Sequence, residues 1–391
     1  MIRRDLEAVL KRDAALYPVV TLFGPRQSGK TTLVKSIFPA HRYANLEDPQ
    51  TRHLAQTDYK AFFALYPPPV VIDEIQRVPE LASAIQPLVD EQRARKGAFI
   101  LTGSHQPLLS QTVSQSLAGR TALQTLYPLT LAELGAAGSA LSTDEMLVRG
   151  FMPELHATPA IPARDWYRNY FRTYVERDVR QIVNVKNIAL FERFVTLLAG
   201  RVGQIVNFQG LAGETGVAAP TIAEWLSVLE ASFLVFRLPP WFSNISKRLV
   251  RSPKVYFAEP GLAAWLLGIE TPEQAARDPL RGSLFENLVV ADAFKRRVHA
   301  GEEPRLAFLR TEKGFEIDLL LAADRRLRPV EIKSAMTWHD SFAASLRRFA
   351  AKTPEAEAPC VVYDGTPLDF ADGLHARNFR DFDPNFPASA P

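Results

Sequence analysis

In the first 135 or so residues, short apolar runs alternate with longer segments whose pattern is compatible with helices. The apolar runs lie at residues 19–23, 70–72, 99–102 and 121–126. Strands separated by helices indicate βαβ units and a parallel sheet. Because each run is almost continuously apolar, we expect the sheet to be covered on both faces. The pattern predicts an α/β domain over residues 1–160.

The hydrophobic periodicity becomes helical between residues 163 and 267. Asn207 is a good cap for a short helix, and a turn around Gly216 leads into a second helix at 219–230. The apolar stripe of that second helix consists of Ile222, Trp225, Leu226 and Leu229. Two strand-like pieces follow, FLVFRL and KVYFAE, joined by a basic loop. This order predicts a helical and winged-helix domain over residues 161–275.

The last part of the chain begins with a helical pattern, GSLFENLVVADAFKRRV, and continues with three strand-like runs, RLAFLR, FEIDLLLA and PVEIKS. This succession predicts a third domain, of α/β type, over residues 276–391. The chain ends in FDPNFPASAP, which is typical of a disordered tail.

Composition narrows the class of protein. The length of 391 residues suggests two or three domains. The 46 basic and 43 acidic residues give a net charge of only +3, so any nucleic-acid binding would rest on local patches. The single cysteine, Cys360, excludes an intramolecular disulfide and indicates a buried small side chain in a reducing compartment. The amino-terminal segment has no signal-peptide core, and no apolar stretch would cross a bilayer, which predicts a cytoplasmic protein without membrane contact.

The run GPRQSGKTT provides the strongest chemical signal in the sequence. Gly24, Gly29, Lys30 and Thr31 satisfy the phosphate-loop pattern G-x-x-x-x-G-K-[ST]. Glycines let backbone amides approach phosphates closely, and the following helix presents its positive end to them. Lys30 would reach the β- and γ-phosphates of ATP, and the Thr31 hydroxyl would bind Mg²⁺. The predicted nucleotide-binding residues are Gly24, Pro25, Arg26, Gln27, Ser28, Gly29, Lys30, Thr31 and Thr32.

Further candidate catalytic residues follow the predicted strands. VVID ends in Asp73, which can hold the hydration shell of magnesium, and the adjacent Glu74 can polarise the attacking water. Ser104 ends FILTGS and could contact the γ-phosphate or the water, although it could also be a turn residue. Arg120, in SLAGR, could stabilise transition-state charge in a neighbouring subunit. A structural salt bridge is the alternative for Arg120.

These motifs together resemble a large family of prokaryotic AAA-type ATPases of poorly known function. The resemblance is carried by GPRQSGKTTL, YANLEDP, VVIDEIQRVPEL, ILTGSHQPLL and SLAGR, and it continues through TYVERDV, LEASFLVFRLPPW, KVYFAEPGL, FENLV and EIDLLL to PVEIK. It implies an ATPase module followed by helical and winged-helix segments and a nuclease-like domain. One departure is that Glu259 and Pro260 stand where the family often has an aspartate before GL.

The middle region gives mixed signals for DNA binding. Acidic residues on the second helix, Glu224 and Glu230, would repel a phosphate backbone. The basic loop is more favourable; it contains Lys247, Arg248, Arg251 and Lys254. A solvated loop, or a packing module that transmits nucleotide state, remains the alternative. Four arginines of this region could form helix salt bridges, subunit contacts or phosphate contacts: Arg168, Arg172, Arg177 and Arg180. Arg177 is a second candidate for an arginine finger.

Charged residues alternate with apolar ones along the last two strands. Alternation places Glu316, Asp318 and Leu320 on one face and Ile317, Leu319 and Leu321 on the other. In PVEIKS, Glu331 and Lys333 share a face. Because the connection AADRRLRP is short, we expect the two strands to pair in antiparallel fashion.

In that arrangement Asp318, Glu331 and Lys333 converge, and Glu286 on the preceding helix could complete the acidic set. Carboxylates can bind Mg²⁺, and a lysine can orient water or stabilise charge on a phosphodiester. The residues match the D-x(n)-[DE]-x-K pattern of the restriction-endonuclease-like superfamily, which this domain resembles. An ordinary strand with a solvated charged face is the alternative.

The sequence thus predicts a magnesium-dependent AAA-type ATPase that couples ATP to a nuclease-like domain binding or acting on nucleic acid. Two alternatives remain: a nucleotide-regulated switch that binds a protein partner, and an active ATP-dependent nuclease. Self-association is expected because Arg120 has no evident partner in its own subunit.

Overall fold

The structure is a computed structural model, and it describes residues 2–104, 115–135, 138, 140–175, 188–241, 252–311, 314–323 and 326–385. The helices of the first part are α1 (Leu6–Leu16), α2 (Lys30–Ile37), α3 (Pro49–Thr57), α4 (Tyr59–Leu65) and α5 (Leu81–Glu91). Its strands are β1 (Val19–Phe23), β2 (Arg42–Asn45), β3 (Val70–Asp73), β4 (Phe99–Gly103) and β5 (Thr121–Thr125).

These five strands form one parallel sheet in the order β2-β3-β4-β1-β5. The predicted parallel α/β sheet is therefore confirmed, and β1 has the predicted bounds. The edge strand β2 was missed because it has only four residues and little apolar character, with Arg42 exposed and Asn45 half-buried. Neighbouring strands, more than the residues of β2 themselves, determine that this segment is extended.

Both faces of the sheet are covered, as the apolar strands predicted. Alternate residues of β1 point to opposite faces, so Val20 packs with Val34 of α2 in one core cluster and Val19 packs with Phe62 of α4 in another. Every residue of β1 is buried. The carboxyl ends of the parallel strands all meet at one edge, where the candidate site lies.

The middle part is mostly helical. Its helices are α6 (Leu131–Leu134), α7 (Thr143–Arg149), α8 (Pro153–Ala157), α9 (Ala163–Tyr174), α10 (Ile188–Ala199), α11 (Phe208–Thr215), α12 (Ala219–Ala231), α13 (Pro260–Leu266) and α14 (Pro272–Arg277). As predicted, the Asn207 side chain caps α11 by accepting a hydrogen bond from Gly210 N, and Gly216 ends it with a φ of 81°. The predicted apolar stripe of α12 is buried.

Two short strands, β6 (Val235–Leu238) and β7 (Lys254–Phe257), follow these helices and pair in antiparallel fashion. Most of the predicted basic loop between them lies outside the described residues, including Lys247, Arg248 and Arg251. The candidates Arg177 and Arg180 also lie outside them. Helices followed by an antiparallel strand pair are compatible with a winged helix, an assignment that stays a prediction.

The last part contains α15 (Arg281–His299), α16 (Ala344–Ala350) and the strands β8 (Leu306–Arg310), β9 (Glu316–Ala323), β10 (Arg326–Lys333), β11 (Cys360–Tyr363), β12 (Leu368–Asp369) and β13 (His375–Asn378). The sheet order is β12-β13-β11-β10-β9-β8. The predicted antiparallel pairing of β9 with β10 is confirmed. The largest core cluster extends from Tyr127 to Phe382, so the middle and last parts share one hydrophobic core.

The predicted faces of β9 are wrong in its second half. The register between β8 and β9 shifts between Ala307 and Leu309, as in a β-bulge. Beyond the shift, Leu320 shares a core cluster with Ile317 on the α16 side, whereas Leu319 and Leu321 pack with α15. A bulge places an extra residue in one strand and reverses the alternation that follows, which strict period-two reasoning cannot anticipate.

The remaining predictions concern Cys360 and membrane-spanning helices. Cys360 is a buried free cysteine, as predicted. Within those ranges, none of the helices has both the length and the apolar character that a membrane span requires.

Candidate functional site

The predicted phosphate loop connects β1 with α2 at the carboxyl edge of the first sheet. Gly24 has a φ of 149°, and a Cβ there would lie 2.2 Å from the Leu126 carbonyl oxygen, so no side chain fits. Gln27, with a φ of 60°, and Gly29, with a φ of 94°, also adopt left-handed backbone conformations. Conformations of this kind turn successive backbone amides toward one centre, which is how such loops bind anions.

Lys30 lies inside this loop. Its side chain is buried, and its Nζ donates to the carbonyl oxygens of Gly24 at 3.0 Å and Pro25 at 2.8 Å. These two carbonyl oxygens hold the ammonium group beside the loop amides, where it can attract a bound phosphate group.

Asp73, at the end of β3, accepts hydrogen bonds from three hydroxyl groups. Thr31 Oγ1 donates to it at 2.8 Å and the Tyr43 hydroxyl at 2.6 Å, and Thr102 Oγ1 donates to its other oxygen. Burial and the bond to Asp73 raise the pKa of Tyr43, which keeps the phenol protonated as a donor. The two residues predicted to bind magnesium, Thr31 and Asp73, are thus in direct contact.

Glu74 follows Asp73 in a left-handed conformation, with a φ of 62° and a ψ of 45°. Such a conformation is strained for a residue with a side chain and is typical of functional sites. The Gln76 amide donates to the Glu74 carboxylate and, at 2.9 Å, to Ser104 Oγ. Gln76 therefore joins the two predicted catalytic residues. The roles of Gln76, Tyr43 and Thr102 were not predicted from the sequence, although all three residues lie in or next to the quoted motifs.

The remaining loop residues surround this centre. Arg26 and Gln27 form a turn of the loop, and the buried Ser28 hydroxyl has no hydrogen-bond partner among the described residues. A cavity of about 250 Å³ adjoins Gly29 and Thr32. Its other lining residues are Ile2, Arg4, Leu33, Leu129, Pro153, Glu154 and Ala157. An unpaired hydroxyl and an adjacent cavity both fit a bound nucleotide.

Arg120 is already paired within its own chain. It precedes β5 and so lies at the amino edge of the sheet, opposite the phosphate loop. Its guanidinium donates to both carboxylate oxygens of Asp90, at 2.9 and 2.8 Å. The expectation that Arg120 has no partner in its own subunit is therefore wrong. No local pattern indicates this pair, because Asp90 lies thirty residues earlier in the chain.

The last sheet brings three of its predicted residues together. Lys333 Nζ lies 2.7 Å from Glu331 Oε2 and 3.3 Å from Asp318 Oδ2, and Ile332 N donates to Asp318 at 2.8 Å. Burial, and then the Asp318 carboxylate, raise the pKa of Glu331 to about 8. At neutral pH Glu331 therefore carries a proton for much of the time, which weakens it as a metal ligand.

Glu286 makes its contacts with the middle part instead. The Tyr256 hydroxyl donates to it at 2.6 Å, and Lys254 Nζ lies 3.2 Å from Glu286 and 2.8 Å from Glu316. The Lys254 side chain is only 3% exposed, so this lysine packs within the protein, whereas DNA contact, a solvated loop and a packing module were all open for the basic loop. Lys254 begins β7 and points its charge at carboxylates of the last part.

Glu286 and Glu331 therefore have different lysine partners, Lys254 and Lys333, but Asp318 acts on both carboxyl groups. Burial raises the pKa of each, and the Asp318 carboxylate raises it further. Val330 and Ile332 pack in the cluster that contains α15, whereas Leu327 packs on the α16 side. Alternation places Glu331 with Leu327, on the face opposite Glu286, which belongs to α15. Over the residues that the structure describes, no group of three or more His, Cys, Asp or Glu side chains is arranged to hold a metal ion.

Two other features singled out in the sequence have structural roles. Glu259, at the departure from the family pattern, is buried and accepts hydrogen bonds from Phe151 N and the Tyr167 hydroxyl, both at 2.9 Å. It also caps α13. Arg168 lies 3.1 Å from Asp165 in a helix salt bridge, one of its open alternatives.

Three family models match the chain in succession. An AAA domain matches residues 16–135, a domain of unknown function (DUF8612) matches residues 141–273, and a second domain of unknown function (DUF4143) matches residues 281–378. The first match supports an AAA-type, ATP-binding phosphate-loop domain. The other two attach no activity to the rest of the chain.

Uncharacterized proteins of two mycobacteria, Rv2008c of Mycobacterium tuberculosis and Mb2031c of Mycobacterium bovis, are each 33% identical over 381 residues, covering 93% of this chain and 80% of the relative. An uncharacterized Haemophilus influenzae protein is 24% identical over 240 residues, covering 58% of this chain and 57% of its own length.

Solved structures overlap only in part. The Walker-type ATPase PABY2304 of Pyrococcus abyssi has a TM-score of 0.42 at 14% identity, covering 68% of this chain and 96% of its own. AMPPCP-bound DnaA from Aquifex aeolicus has a TM-score of 0.29 at 12% identity, covering 57% and 85%. Overlaps of this size say nothing about function.

Proposed function

We propose that this chain is a magnesium-dependent ATPase. It belongs to the same protein family as the uncharacterized protein Rv2008c of Mycobacterium tuberculosis, and it carries an AAA domain. The observation that carries this proposal is the contact of Thr31 with Asp73 beside the phosphate loop, at 2.8 Å. This contact supports the proposal because the two residues predicted to bind magnesium meet beside the predicted phosphate loop.

ATP fits this site in one orientation. The triphosphate lies against the loop amides between Gly24 and Thr31, where Lys30 faces its β- and γ-phosphates. The base and ribose then leave the loop past Thr32 and enter the adjoining cavity, whose lining is mostly apolar. A purine ring fits such a cavity because its faces are apolar and its edges are polar.

Magnesium would be held by Thr31 Oγ1 and, through its water shell, by Asp73. When bound, the ion neutralises charge that develops on the phosphates. Glu74 orients the attacking water and accepts its proton, and Gln76 fixes the Glu74 carboxylate relative to Ser104. The Tyr43 and Thr102 hydroxyls keep Asp73 turned toward Thr31.

Phosphate release from Mg-ATP tests the proposal. We expect Lys30→Ala to abolish most of the release because the loop loses the ammonium group that faces the phosphates, while Lys60→Ala, at an exposed lysine of α4, keeps it. Equal release from the wild type and Lys30→Ala would overturn the proposal. Omission of Mg²⁺ must lower the wild-type rate to that of Lys30→Ala.

We also propose that the last part of the chain carries a nuclease-like site in a closed state and that ATP regulates it. The contacts among Asp318, Glu331 and Lys333 support the nuclease-like interpretation. The contacts of Lys254 with Glu286 and Glu316 support the closed state, because a metal ion would have to compete with a buried ammonium group.

Cleavage and binding assays separate the three functions. Mg²⁺- or Mn²⁺-dependent cleavage of DNA that requires ATP and is lost in both Asp318→Ala and Lys333→Ala would establish an active nuclease. Binding of DNA without cleavage would indicate a binding module. If the chain binds no DNA either with or without ATP, the result would favour a nucleotide-regulated switch that binds a protein partner.

We also propose that the chain self-associates, although Arg120 is paired with Asp90 in its own subunit. Arg120 would have to leave Asp90 to reach a nucleotide in a neighbouring subunit. The molar mass in solution, measured with a non-hydrolysable ATP analogue, tests this point. A purely monomeric species would overturn it.

A further inference from the structure

Arg4, which lies outside the predicted motifs, contacts the phosphate loop directly. Its side chain is 6% exposed, and its Nη1 donates to the Ser28 carbonyl oxygen at 2.8 Å. Its Nη2 donates to the Tyr127 carbonyl oxygen at 2.6 Å, in the segment that leaves β5. One guanidinium group thus links the loop to the chain segment behind it.

The contact with Ser28 determines which way the next amide points. In a planar trans peptide, the carbonyl of one residue and the N–H of the following residue point in opposite directions. Because Arg4 holds the Ser28 carbonyl on its own side, the Gly29 N–H points away from Arg4. Phosphate loops bind anions with amides of this kind, so the orientation of this one peptide bears directly on affinity.

A buried guanidinium needs a counter-charge, and Glu133 supplies it. Glu133 Oε1 lies 3.1 Å from Arg4 Nε and accepts from Asp5 N at 2.9 Å. Its other oxygen accepts from Thr130 N at 3.0 Å, as part of the capping box of α6. Burial by itself raises the pKa of Glu133, but its contacts with His299 and Arg4 outweigh burial and lower it. Glu133 is therefore ionised opposite Arg4.

His299, the last residue of α15, closes this chain of contacts. Its Nε2 accepts from Tyr127 N at 3.0 Å, which leaves the ring proton on Nδ1. Nδ1 lies 3.2 Å from Glu133 Oε1. Burial lowers the pKa of His299, in agreement with a neutral ring.

Two further side chains of α15 contact the same segment. Lys295 Nζ donates to the Leu129 carbonyl oxygen, and Asp292 accepts from Leu131 N, both at 2.7 Å. Helix α15 thus holds the segment after β5 at three points. That segment, through Tyr127 and Glu133, holds Arg4.

We propose that Arg4 is a positioning residue for the phosphate loop, fixed by Glu133 and His299, and that nucleotide affinity consequently depends on helix α15 in the last part of the chain. The inference rests on the proposed function, since it concerns the same nucleotide site. It adds a residue that no motif marks, and it assigns part of the nucleotide affinity to a helix outside the AAA domain match.

Binding of the fluorescent nucleotide mant-ATP, with Mg²⁺, to the full-length chain tests the proposal. We expect Arg4→Ala to raise the Kd about 10- to 100-fold, because a charged donor to the loop is lost. Arg4→Lys keeps one donor and should recover part of the affinity. Arg3→Ala, an exposed neighbouring arginine, is the matched control and should leave the Kd unchanged.

The two His299 variants separate its contacts. His299→Gln retains an acceptor near Nε2 for Tyr127 N, whereas His299→Asn retains a donor near Nδ1 for Glu133. We expect both to raise the Kd roughly three- to tenfold, as expected for the loss of one buried hydrogen bond. These milder changes serve as the test if Arg4→Ala does not fold.

Thermal denaturation of every variant distinguishes positioning from a purely structural role. Kd values are compared well below each Tm, where all chains are folded. A lower Tm with a Kd within about twofold of wild type for Arg4→Lys and both His299 variants would overturn the proposal. Failure of the wild type itself to bind mant-ATP would instead overturn the proposed function, and Lys30→Ala identifies that case.

Discussion

The nucleotide site and the acidic cluster of the last sheet both contain lysines and carboxylates, but the structure holds these groups in different ways. In the nucleotide site, Lys30 is held by two carbonyl oxygens and Asp73 by three hydroxyl groups. In the acidic cluster, Lys254 and Lys333 contact the carboxylates themselves. Neutral partners fix a charged group in place and leave its charge for a ligand, whereas an ion pair uses that charge within the protein.

This difference shows why the same residue types predict function unequally well. Lysines and acidic residues occur both in the nucleotide site and in the acidic cluster, and both sites are partly buried. In the nucleotide site, three hydroxyl groups hold Asp73 and leave its negative charge for a metal ion. The acidic cluster is already neutralised by lysines and by the raised pKa of Glu331, in the state that the structure describes.

The largest expected effect tests the catalytic carboxylate of the nucleotide site. Glu74→Gln should lower phosphate release roughly 100-fold or more, because an amide cannot accept a proton from water. The Kd for mant-ATP should stay within a few-fold of wild type. Glu80→Gln, an exposed neighbour, is the control for both measurements. Undiminished release from Glu74→Gln would mean that another group activates the water.

Lys254→Met tests the closed state of the acidic cluster. Removing one member of a buried ion pair leaves carboxylates without their counter-charge, and we expect a loss of about 3–5 kcal/mol in the free energy of unfolding. Urea denaturation measures it, with the exposed Lys352→Met as the matched control. A loss no greater than that of the control would show that Lys254 does not neutralise the cluster.

The pH dependence of Glu331→Gln gives a smaller, signed effect. The folded-state pKa of Glu331, about 8, lies above the ordinary value of 4.5, so the folded chain binds this proton more tightly than the unfolded chain does. Wild type should therefore lose stability relative to Glu331→Gln as pH rises from 5 to 8, by roughly 1–4 kcal/mol in total. Urea denaturation at pH 5, 7 and 9 measures the difference. A difference that is constant with pH would contradict the raised pKa.

The smallest effect is expected at the ion pair of Arg120 with Asp90. Both side chains are partly exposed, and solvent screens pairs of this kind, so Asp90→Asn should leave the Tm almost unchanged. This outcome would show that Arg120 can leave Asp90 at little cost, as a role in a neighbouring subunit requires. A large drop in Tm would favour the structural alternative for Arg120.

Much of the first domain could be predicted from its sequence because its signals are local. Apolar runs of three to six residues predicted four of the five strands and their parallel arrangement, and the glycine spacing of the phosphate loop identified the connection after β1. The strand β2 could not be predicted in this way, since its extended form depends on pairing with β3. Asp73 could be proposed from its position, but its hydroxyl partners come from other strands.

The acidic cluster was harder because its geometry depends on two events that no local pattern records. A β-bulge changed the faces of β9, and packing of the middle part against α15 placed Lys254 on Glu286. A lysine at the end of a basic loop looks solvated in a sequence. Burial by itself would lower the pKa of Lys254, but the charges of Glu286 and Glu316 outweigh burial and raise it. This environment exists only when the two parts pack together.

By itself, the sequence determined the phosphate loop and the strands that present it, because backbone geometry and strand burial follow from residues that are close along the chain. The tertiary structure alone decided which charges meet. It joined Arg4 to Glu133 and His299, Arg120 to Asp90, and Lys254 to Glu286, across separations of 30 residues or more. Coulomb interactions and hydrogen bonds act over a few ångströms in space, whatever the distance along the chain.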